Sequence, residues 1–434
     1  MAASKQRRLT EEEIWETMSD SESDLSSEDE LRTAFDYVTI DSDDENFPEE
    51  RQWHYGAFTP TIPQFVGKPG LQNTISLVGR TPLDCFQLFF DEITIQRIAD
   101  ETNRYYLQNP MNERQHMSNW HNVNSVEVYA FLAITMLIGL IDKSRIRDYW
   151  STDPLLATPI FSQYFTRNRY QDILRYMHFA NNENIFHTDR LGKIKPIVDQ
   201  LKRKFASCMN PTQNLCVDES LVLWKGRLGF KQYIPTRRHR FGIKLFLLVD
   251  CETKFILDFI IYTGSNTDYR ITDGLGLSGS IVMELMQRYL NKGHHLYVDN
   301  WYTSPALFEF LHRNKTGACG TVRKNRQGLP PLTARLKRGE SQYAHTNTLL
   351  ALKWQDKREV HMLSTIHSTT YTNSNKIDRQ TGEAIRKPVC IVDYTKNMGA
   401  ADHVDMQISF SECIRKSVKW YRKLFFPSFG YGSI

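Results

Sequence analysis

The feature that most constrains this chain is a carboxylate at the end of an apolar run, in the stretch HHLYVDNWYTS. His294 to Val298 read as a buried strand, Asp299 ends it, and Asn300-Trp301-Tyr302-Thr303-Ser304-Pro305 break it. Before it, Ile281, Val282, Leu285, Met286, Tyr289 and Leu290 fall at helical spacing, and Ala306 to His312 make a second amphipathic segment after it. Helix, strand, helix places the strand in a mostly parallel sheet, where ligands and catalytic groups gather at the carboxyl ends of the strands. The competing reading makes Asp299 the cap of the next helix, because Asp and Ser both cap well.

A chain of 434 residues has room for two or three domains, and 41% hydrophobic with 12% aromatic residues is a globular composition. The formal charge of +4 hides an asymmetry. Residues 11–50 hold 17 Asp or Glu against one basic residue, Arg32, which leaves 53 Lys+Arg and 33 Asp+Glu on the rest. A basic body favours a polyanionic partner, the alternative being an ordinary solvated surface. Seven cysteines at 85, 208, 216, 251, 319, 390 and 413 include no Cys-x-x-Cys pair, so reduced thiols in a cytoplasmic or nuclear protein are expected, and no zinc. No signal peptide is visible, and the longest apolar run, Val126 to Ile141, is short for a membrane span and carries Glu127 and Thr135. It reads as a buried helix capped near Asn124 or Ser125, with no membrane partner.

Residues 1–75 are acidic, serine-containing and then proline-punctuated, a tail that cannot bury enough apolar surface to fold by itself. Residues 76–212 carry helical patterns and form an all-helical domain, expected to bind DNA or to dimerise, with basic faces at Arg167, Arg169, Arg175, Lys193, Lys195, Lys202, Arg203 and Lys204. Residues 213–322 open with three strands, LCVDESLVLW, RFGIKLFLLVD and KFILDFIIYTG, which read as an antiparallel meander. The Ile281 helix, the Asp299 strand, the Ala306 helix and the strand TGACGTV follow, giving β-β-β-α-β-α-β. Residues 323–388 form a β-rich insertion with a hairpin around Gln355-Asp356-Lys357. Its His361 and His367 read as packing or solvent residues rather than metal ligands. Residues 389–410 return to the core with a strand-like CIVDY and the helix NMGAADHVDMQISF, and 411–434 return briefly to the helical domain.

This order is that of an α+β, ribonuclease-H-like core, a mixed sheet with helices, whose first and fourth strands lie side by side. Asp218 sits in the middle of the first strand, where a charge is edge-exposed, salt-bridged or functional. Beside Asp299 it would make a pair of carboxylates that holds a proton or binds a hard cation. Two Mg²⁺ ions roughly 3.5–4 Å apart activate an attacking oxygen and stabilise a leaving one in phosphodiester chemistry. Asp402 and Asp405, three apart, share a helix face and are candidates for the remaining carboxylate, although an acidic first turn is the plainer reading of that pair.

The basic stretch beside Asp218 fits DNA on its own merits. Lys225, Arg227, Lys231, Arg237, Arg238, Arg240 and Lys244 occur with no acid, interleaved with Trp224, Phe230, Tyr233 and Phe241. Cations meet phosphates and exposed rings stack bases, though some of these rings must be core. Arg323, Lys324 and Arg326 open the insertion as a second basic, turn-rich segment.

From about Pro82 to Phe426 the chain resembles the piggyBac-type transposases and their host-derived relatives. The resemblance runs through PLDCFQLFF, ETNRYY, DYWSTDP, RNRYQDILRYMHFANN, CVDESLVLWKGR, KQYIPTRRHRFGIKL, VDNWYTS, GTVRKNR and DYTKNMGAADHVD. It implies three catalytic aspartates, Asp218, Asp299 and Asp402, with Asp405 joining them in a metal set, and Asp393 in the family pattern but outside that set. It also implies Mg²⁺, with Mn²⁺ as a substitute, for strand cleavage, hairpin formation at transposon ends and joining at TTAA targets, in a nuclear protein expected to be a homodimer. Gly399-Ala400-Ala401 stands where the family usually has Gly-Gly-Val, and Met406 where it has Gln. The ending PSFGYGSI stands where the family continues into further helices. An active transposase and a truncated or domesticated DNA-binding relative therefore both remain open, as does a nonspecific nuclease using the same site.

Overall fold

The computed structural model describes residues 51–72, 75–76, 78–109, 120–234, 240–377, 382, 384–410, 413, 417 and 419–426. The acidic run 11–50, Arg237, Arg238 and the ending PSFGYGSI lie outside these residues. The proline-punctuated end of the tail, residues 51–72, does not stand by itself but is built into the fold. Arg51 makes two hydrogen bonds to Glu309, at 2.9 and 3.0 Å, and Trp53 donates to the Gly328 carbonyl. His54 exchanges both backbone hydrogen bonds with His345, Phe58 is buried, and strand β1 (Gly70–Leu71) pairs with β2 (Met209–Asn210). The segment does not fold alone, yet at His54 it meets the edge of a sheet at His345, which satisfies the backbone groups of both residues.

The helical layer follows its caps. Helix α1 (Pro82–Gln87) starts on a capping box, with Thr81 accepting from the Asp84 amide and Asp84 from the Thr81 amide. Helix α2 (Glu92–Gln108) is capped by Asp91, and α3 (Ser125–Leu140) by Asn124, one of the two caps expected. Helices α4 (Pro159–Tyr164), α5 (Arg167–Tyr176) and α6 (Lys195–Cys208) complete the layer. On α2 the buried side chains are Thr94, Ile95, Ile98, Ala99 and Thr102, the one-sided stripe of a helix lying on a core. Among the basic residues of this layer Arg169 is committed to structure: it grips Glu127 through two hydrogen bonds of 2.7 and 2.6 Å and lies over the Trp120 ring.

The sheet carries the order expected from the sequence. Strands β3 (Asn214–Leu223), β5 (Phe241–Asp250) and β6 (Ile256–Ile261) form the antiparallel meander, with the short β4 (Gln232–Tyr233) on the start of β5. Helix α7 (Gly276–Met286) starts a little earlier than the periodicity indicates, but Ile281, Val282, Leu285 and Met286 are buried as expected. Strand β7 (His295–Val298) runs parallel to β3, and after α8 (Pro305–Arg313) strand β8 (Gly317–Thr321) runs parallel to β7. The first and fourth major strands thus lie side by side in a mixed sheet with helices.

The insertion does not stand apart from this sheet. Strands β9 (Ser341–His345), β10 (Leu350–Gln355) and β11 (Glu359–Ser364) continue it, because β11 pairs antiparallel with β8 through Met362–Thr321, Leu363–Gly320 and Ser364–Cys319. The β10–β11 hairpin turns at Asp356 to Arg358, as the polar residues there indicate. A separate ribbon, β12 (Tyr371–Ile377) with β13 (Ala384–Pro388), leads into the last elements.

One expectation fails here. CIVDY is not a strand: Val389–Asn397 form helix α9, followed by α10 (Ala400–Phe410) and α11 (Trp420–Phe425). The β-branched run Val389, Ile391, Val392 suggests extension, but Cys390, Ile391 and Asn397 bury one helical side against the sheet, and tertiary packing overrides the local preference.

Candidate active site

Strand alternation decides which side chains meet. The parallel register pairs Cys216 with Tyr297 and Val217 with Val298, so Asp218 and Asp299 are the next residues on neighbouring strands. Their backbones are separated by roughly one strand spacing, 4.7–4.9 Å. On β3 Cys216, Asp218 and Ser220 share a face, and on β7 His295, Tyr297 and Asp299 share the same one. Helices α9 and α10 cover that face: the Cys216 thiol donates to the Met398 carbonyl at 3.4 Å, and Ser220 donates to Asp405 Oδ1 at 2.5 Å.

Asp299 is not the cap of the following helix. Ser304 caps α8 by accepting from the Leu307 amide at 3.2 Å, while Asp299 Oδ1 accepts from the Trp301 amide at 2.9 Å within its own turn. The Asp299 carbonyl is fixed from the other side by Thr303, whose amide and hydroxyl both donate to it. Gly320 makes room for this turn, because a Cβ there would stand 2.2 Å from Thr303 Oγ1 and 2.6 Å from the Val298 carbonyl. The reading of Asp299 as a positioned carboxylate is the one its contacts support.

The two strand carboxylates resist ionisation. Burial first, and then the charges of Glu219, Asp299 and Asp402, push Asp218 up to about 8, against the single amide of Glu219 that favours the anion. Burial and the Glu219 charge likewise raise Asp299, partly offset by the amides of Trp301 and Tyr302 and by Lys244. Such a pair is eased by a proton or by a cation.

Asp402 and Asp405 occupy one stretch of α10, whose inner side is lined by the buried Ala400, Ala401 and Val404. Ala400 and Ala401 therefore pack inward where the family usually has Gly and Val. Asp405 faces Ser220, whereas Asp402 is exposed and is felt at Asp218 through its charge. Among the described residues no three His, Cys, Asp or Glu side chains are already gathered around one point as a metal centre. The donor set nevertheless fits a hard cation: two half-buried carboxylates that repel each other, with further carboxylate oxygen on the adjoining helix.

The expected DNA-contacting residues separate into groups. Lys225, Arg227, Arg240, Arg323 and Lys324 are exposed; Lys231 and Arg326 are half-buried; Arg237 and Arg238 lie outside the described residues. Lys231 donates to the Gly226 carbonyl and Arg326 to the carbonyls of Asn300 and Trp301, beside the Asp299 turn. Lys244 is engaged internally, with its Nζ 3.7 Å from Glu219 and 4.8 and 4.9 Å from the ring centres of Phe246 and Trp301. Trp224 and Phe230 are core, as some of the rings had to be, and Phe241 is exposed with Tyr233 against it.

Three further residues act on the site without a motif to reveal them. Glu219 is recognisable only as Asp218's neighbour, yet its charge bears on both carboxylates. Ser220 reads as an ordinary strand residue, and Tyr302 is fully buried with a hydroxyl that has no hydrogen-bond partner among the described residues. His361 pairs with Glu359 at 2.7 Å, and His367 with Ser364 and Asp393, so both have the packing roles expected of them.

Known proteins share this architecture. A family model described as Transposase IS4 matches residues 81–428. The human piggyBac transposable element-derived protein 2 is 26% identical over 356 residues, 79% of this chain and 58% of that protein. The human piggyBac transposable element-derived protein 3 is 26% identical over 364 residues, 80% of this chain and 59% of that protein. The chain thus spans just under three-fifths of the length of these curated relatives. A cryo-EM structure of a piggyBac transposase synaptic complex with hairpin DNA has the same fold, with a TM-score of 0.73 at 24% identity over 84% of this chain and 75% of that chain. With a family match over most of its length, relatives of one kind and the shared fold, the chain belongs to the piggyBac transposase family.

Proposed function

We propose that the protein cleaves and joins DNA strands with the help of divalent cations, Mg²⁺ first and Mn²⁺ as a substitute, at transposon ends and TTAA targets. The observation that carries this reading is the parallel β3–β7 pairing, which sets Asp218 and Asp299 at neighbouring positions and leaves both reluctant to ionise. Asp218 and Asp299 would hold the cations, Asp402 would close the site, and Asp405, steadied by Ser220, would support its rim. The bound cations would supply Lewis-acid activation of the attacking oxygen and charge stabilisation for the leaving one. In the first step a water oxygen bonds to phosphorus, the bond to the 3′ oxygen breaks, and the freed 3′-hydroxyl takes up a proton. The oxygen of that hydroxyl then gives up its proton and bonds to the phosphorus of a second phosphodiester, one ester oxygen of which leaves and takes up a proton, so no serine or cysteine nucleophile is needed. Lys225 and Arg227 are exposed beyond the end of β3 and suit contact with the flanking phosphates. A DNA substrate places the protein in the nucleus, and two ends to be joined suit a homodimer.

A second reading has its own support. Asp402 is exposed on α10 while Asp218 and Asp299 are half-buried, which suits a relative that binds DNA without cutting it. Cleavage of DNA with candidate terminal repeats flanked by TTAA, in Mg²⁺, separates the two. Cutting that is lost in Asp299→Asn is the expected result, whereas DNA binding with no cutting by the unaltered chain would leave the second reading.

A further inference from the structure

The face of β7 that bears Asp299 also bears Tyr297, and Tyr297 donates its hydroxyl to Asp393 Oδ2 on α9. The same carboxylate oxygen lies 3.0 Å from His367 Nε2, and His367 Nδ1 lies 2.8 Å from Ser364 Oγ. Ser364 belongs to β11, paired with Cys319 of β8. Oδ1 of Asp393 accepts from the Asn397 side chain, Nδ2, at 3.1 Å, and the same nitrogen donates to the Asp393 carbonyl at 2.9 Å, which fastens the last turn of α9. Ser364 and His367 with Asp393 have the composition of a hydrolytic triad, but Ser364 is 1% exposed and cannot meet a substrate. The chain of hydrogen bonds instead joins three distant segments at one carboxylate.

Its place in the fold gives it a purpose. Three contacts run in sequence across the shared face: Tyr297 to Asp393, Cys216 to Met398, and Ser220 to Asp405. They fasten α9, the turn at Met398 and Gly399, and α10 onto the two strands that carry Asp218 and lead into Asp299. Asp402 lies between the second and third contacts and is exposed, so its place depends on how these helices are held. Burial alone would raise the Asp393 carboxyl, but the hydrogen bonds from His367 and Tyr297 hold it below the ordinary carboxylate range, so it serves as a charged anchor.

We propose that Asp393, gripped by Tyr297 and His367, is a positioning residue that sets the Asp402 helix against Asp218 on β3 and Asp299 just past β7. The proposal rests on the cation-binding reading of those carboxylates. Sites of this kind tolerate displacements of only about 0.5 Å, and removing an outer partner typically costs about 10–100-fold in metal affinity.

The test titrates Mn²⁺ into the full chain by calorimetry and follows thermal melting for the unaltered protein, Asp393→Asn, Tyr297→Phe, His367→Gln and Asp299→Asn. The expected result is that Asp393→Asn and Tyr297→Phe weaken Mn²⁺ binding about tenfold or more, out of proportion to their fall in melting temperature. If Asp393→Asn does not fold, Tyr297→Phe carries the test, since it removes one hydroxyl from the same carboxylate. Unchanged Mn²⁺ affinity in these variants, with binding lost in Asp299→Asn, would overturn the positioning role and leave the site reading intact. Affinity that falls only in step with melting temperature across the series would also overturn it, as a general loss of stability. An unaltered chain that binds Mn²⁺ no better than Asp299→Asn would remove the site reading, and the positioning role with it.

Discussion

Ser220 on β3 and Asp405 on α10, 185 residues apart in the chain, are joined by a hydroxyl-to-carboxylate hydrogen bond of 2.5 Å. Ser220 is 3% exposed, so the bond is shielded from water and fixes α10 to the strand that carries Asp218. Ser220→Ala leaves a carboxylate oxygen without this donor, which should cost about 1–3 kcal/mol of folding stability. Denaturant unfolding should show the loss, and Mg²⁺-dependent cleavage should fall with it. Ser220→Thr keeps the hydroxyl and should recover much of both.

The raised Asp218 carboxyl makes the metal-free protein sensitive to base. Its folded value of about 8 lies above the ordinary 3.8, so the folded state holds the proton more tightly than the unfolded chain. The stabilisation is complete below about 4 and is lost as pH rises toward 8. Melting temperature in the absence of divalent ions should therefore fall across the upper part of this window, and Asp218→Asn should flatten that slope. Added Mg²⁺ at pH 8 should raise the melting temperature of the unaltered chain and leave Asp218→Asn less affected.

The exposed cations and Lys244 should respond differently to the same substitution. Lys225→Ala and Arg227→Ala should each weaken DNA binding across sequences and lower the slope of log affinity against log salt by about 1. Neither should lower the melting temperature, because both side chains are exposed. Lys244→Ala should instead destabilise the fold: it empties the space over Phe246 and Trp301 and leaves Glu219 without its cation beside Asp299. Affinity measured at several salt concentrations, with melting in parallel, checks all three.

The parts of this fold that follow simple periodicities are legible from residues alone. The Asn124 cap, the β3–β5–β6 meander, the β10–β11 hairpin and the helix, strand, helix run around Asp299 each rest on local chemistry. CIVDY misleads because its β-branched residues are overruled by what lies beneath it, a sheet face that α9 helps to cover. The partners of Asp405 and Asp393 are invisible for a different reason. Ser220 and Tyr297 stand far from them in sequence, and nothing in a serine or tyrosine within a strand announces a carboxylate across the core. Glu219 likewise lacks a signal, because its effect on Asp218 and Asp299 arises from the low local polarity that burial creates.

The packing of α11 on the helical layer supplies a pH response of opposite sign. His178 is 1% exposed, stacked on Tyr105 at 4.2 Å, with Nδ1 2.9 Å from the Tyr421 hydroxyl and Nε2 2.8 Å from Asn182 Oδ1. Burial, aided by the charges of Arg422, Lys419 and Lys193, lowers its ionisation to about 3, against the help that Asn182 gives the cation. The folded state thus binds this proton less readily than the unfolded chain, whose value is 6.5. The stabilisation is complete above about 6.5 and disappears as pH falls toward 3. Between about 4 and 6.5 this slope opposes that of Asp218. His178→Gln should uncover the Asp218 slope, giving higher melting temperature as pH falls from 6.5 to 4, and Asp218→Asn should uncover the reverse. Melting curves of the two single variants and the double variant across pH 4 to 8 test the pair, and a flat profile in all three would show that neither group titrates with folding.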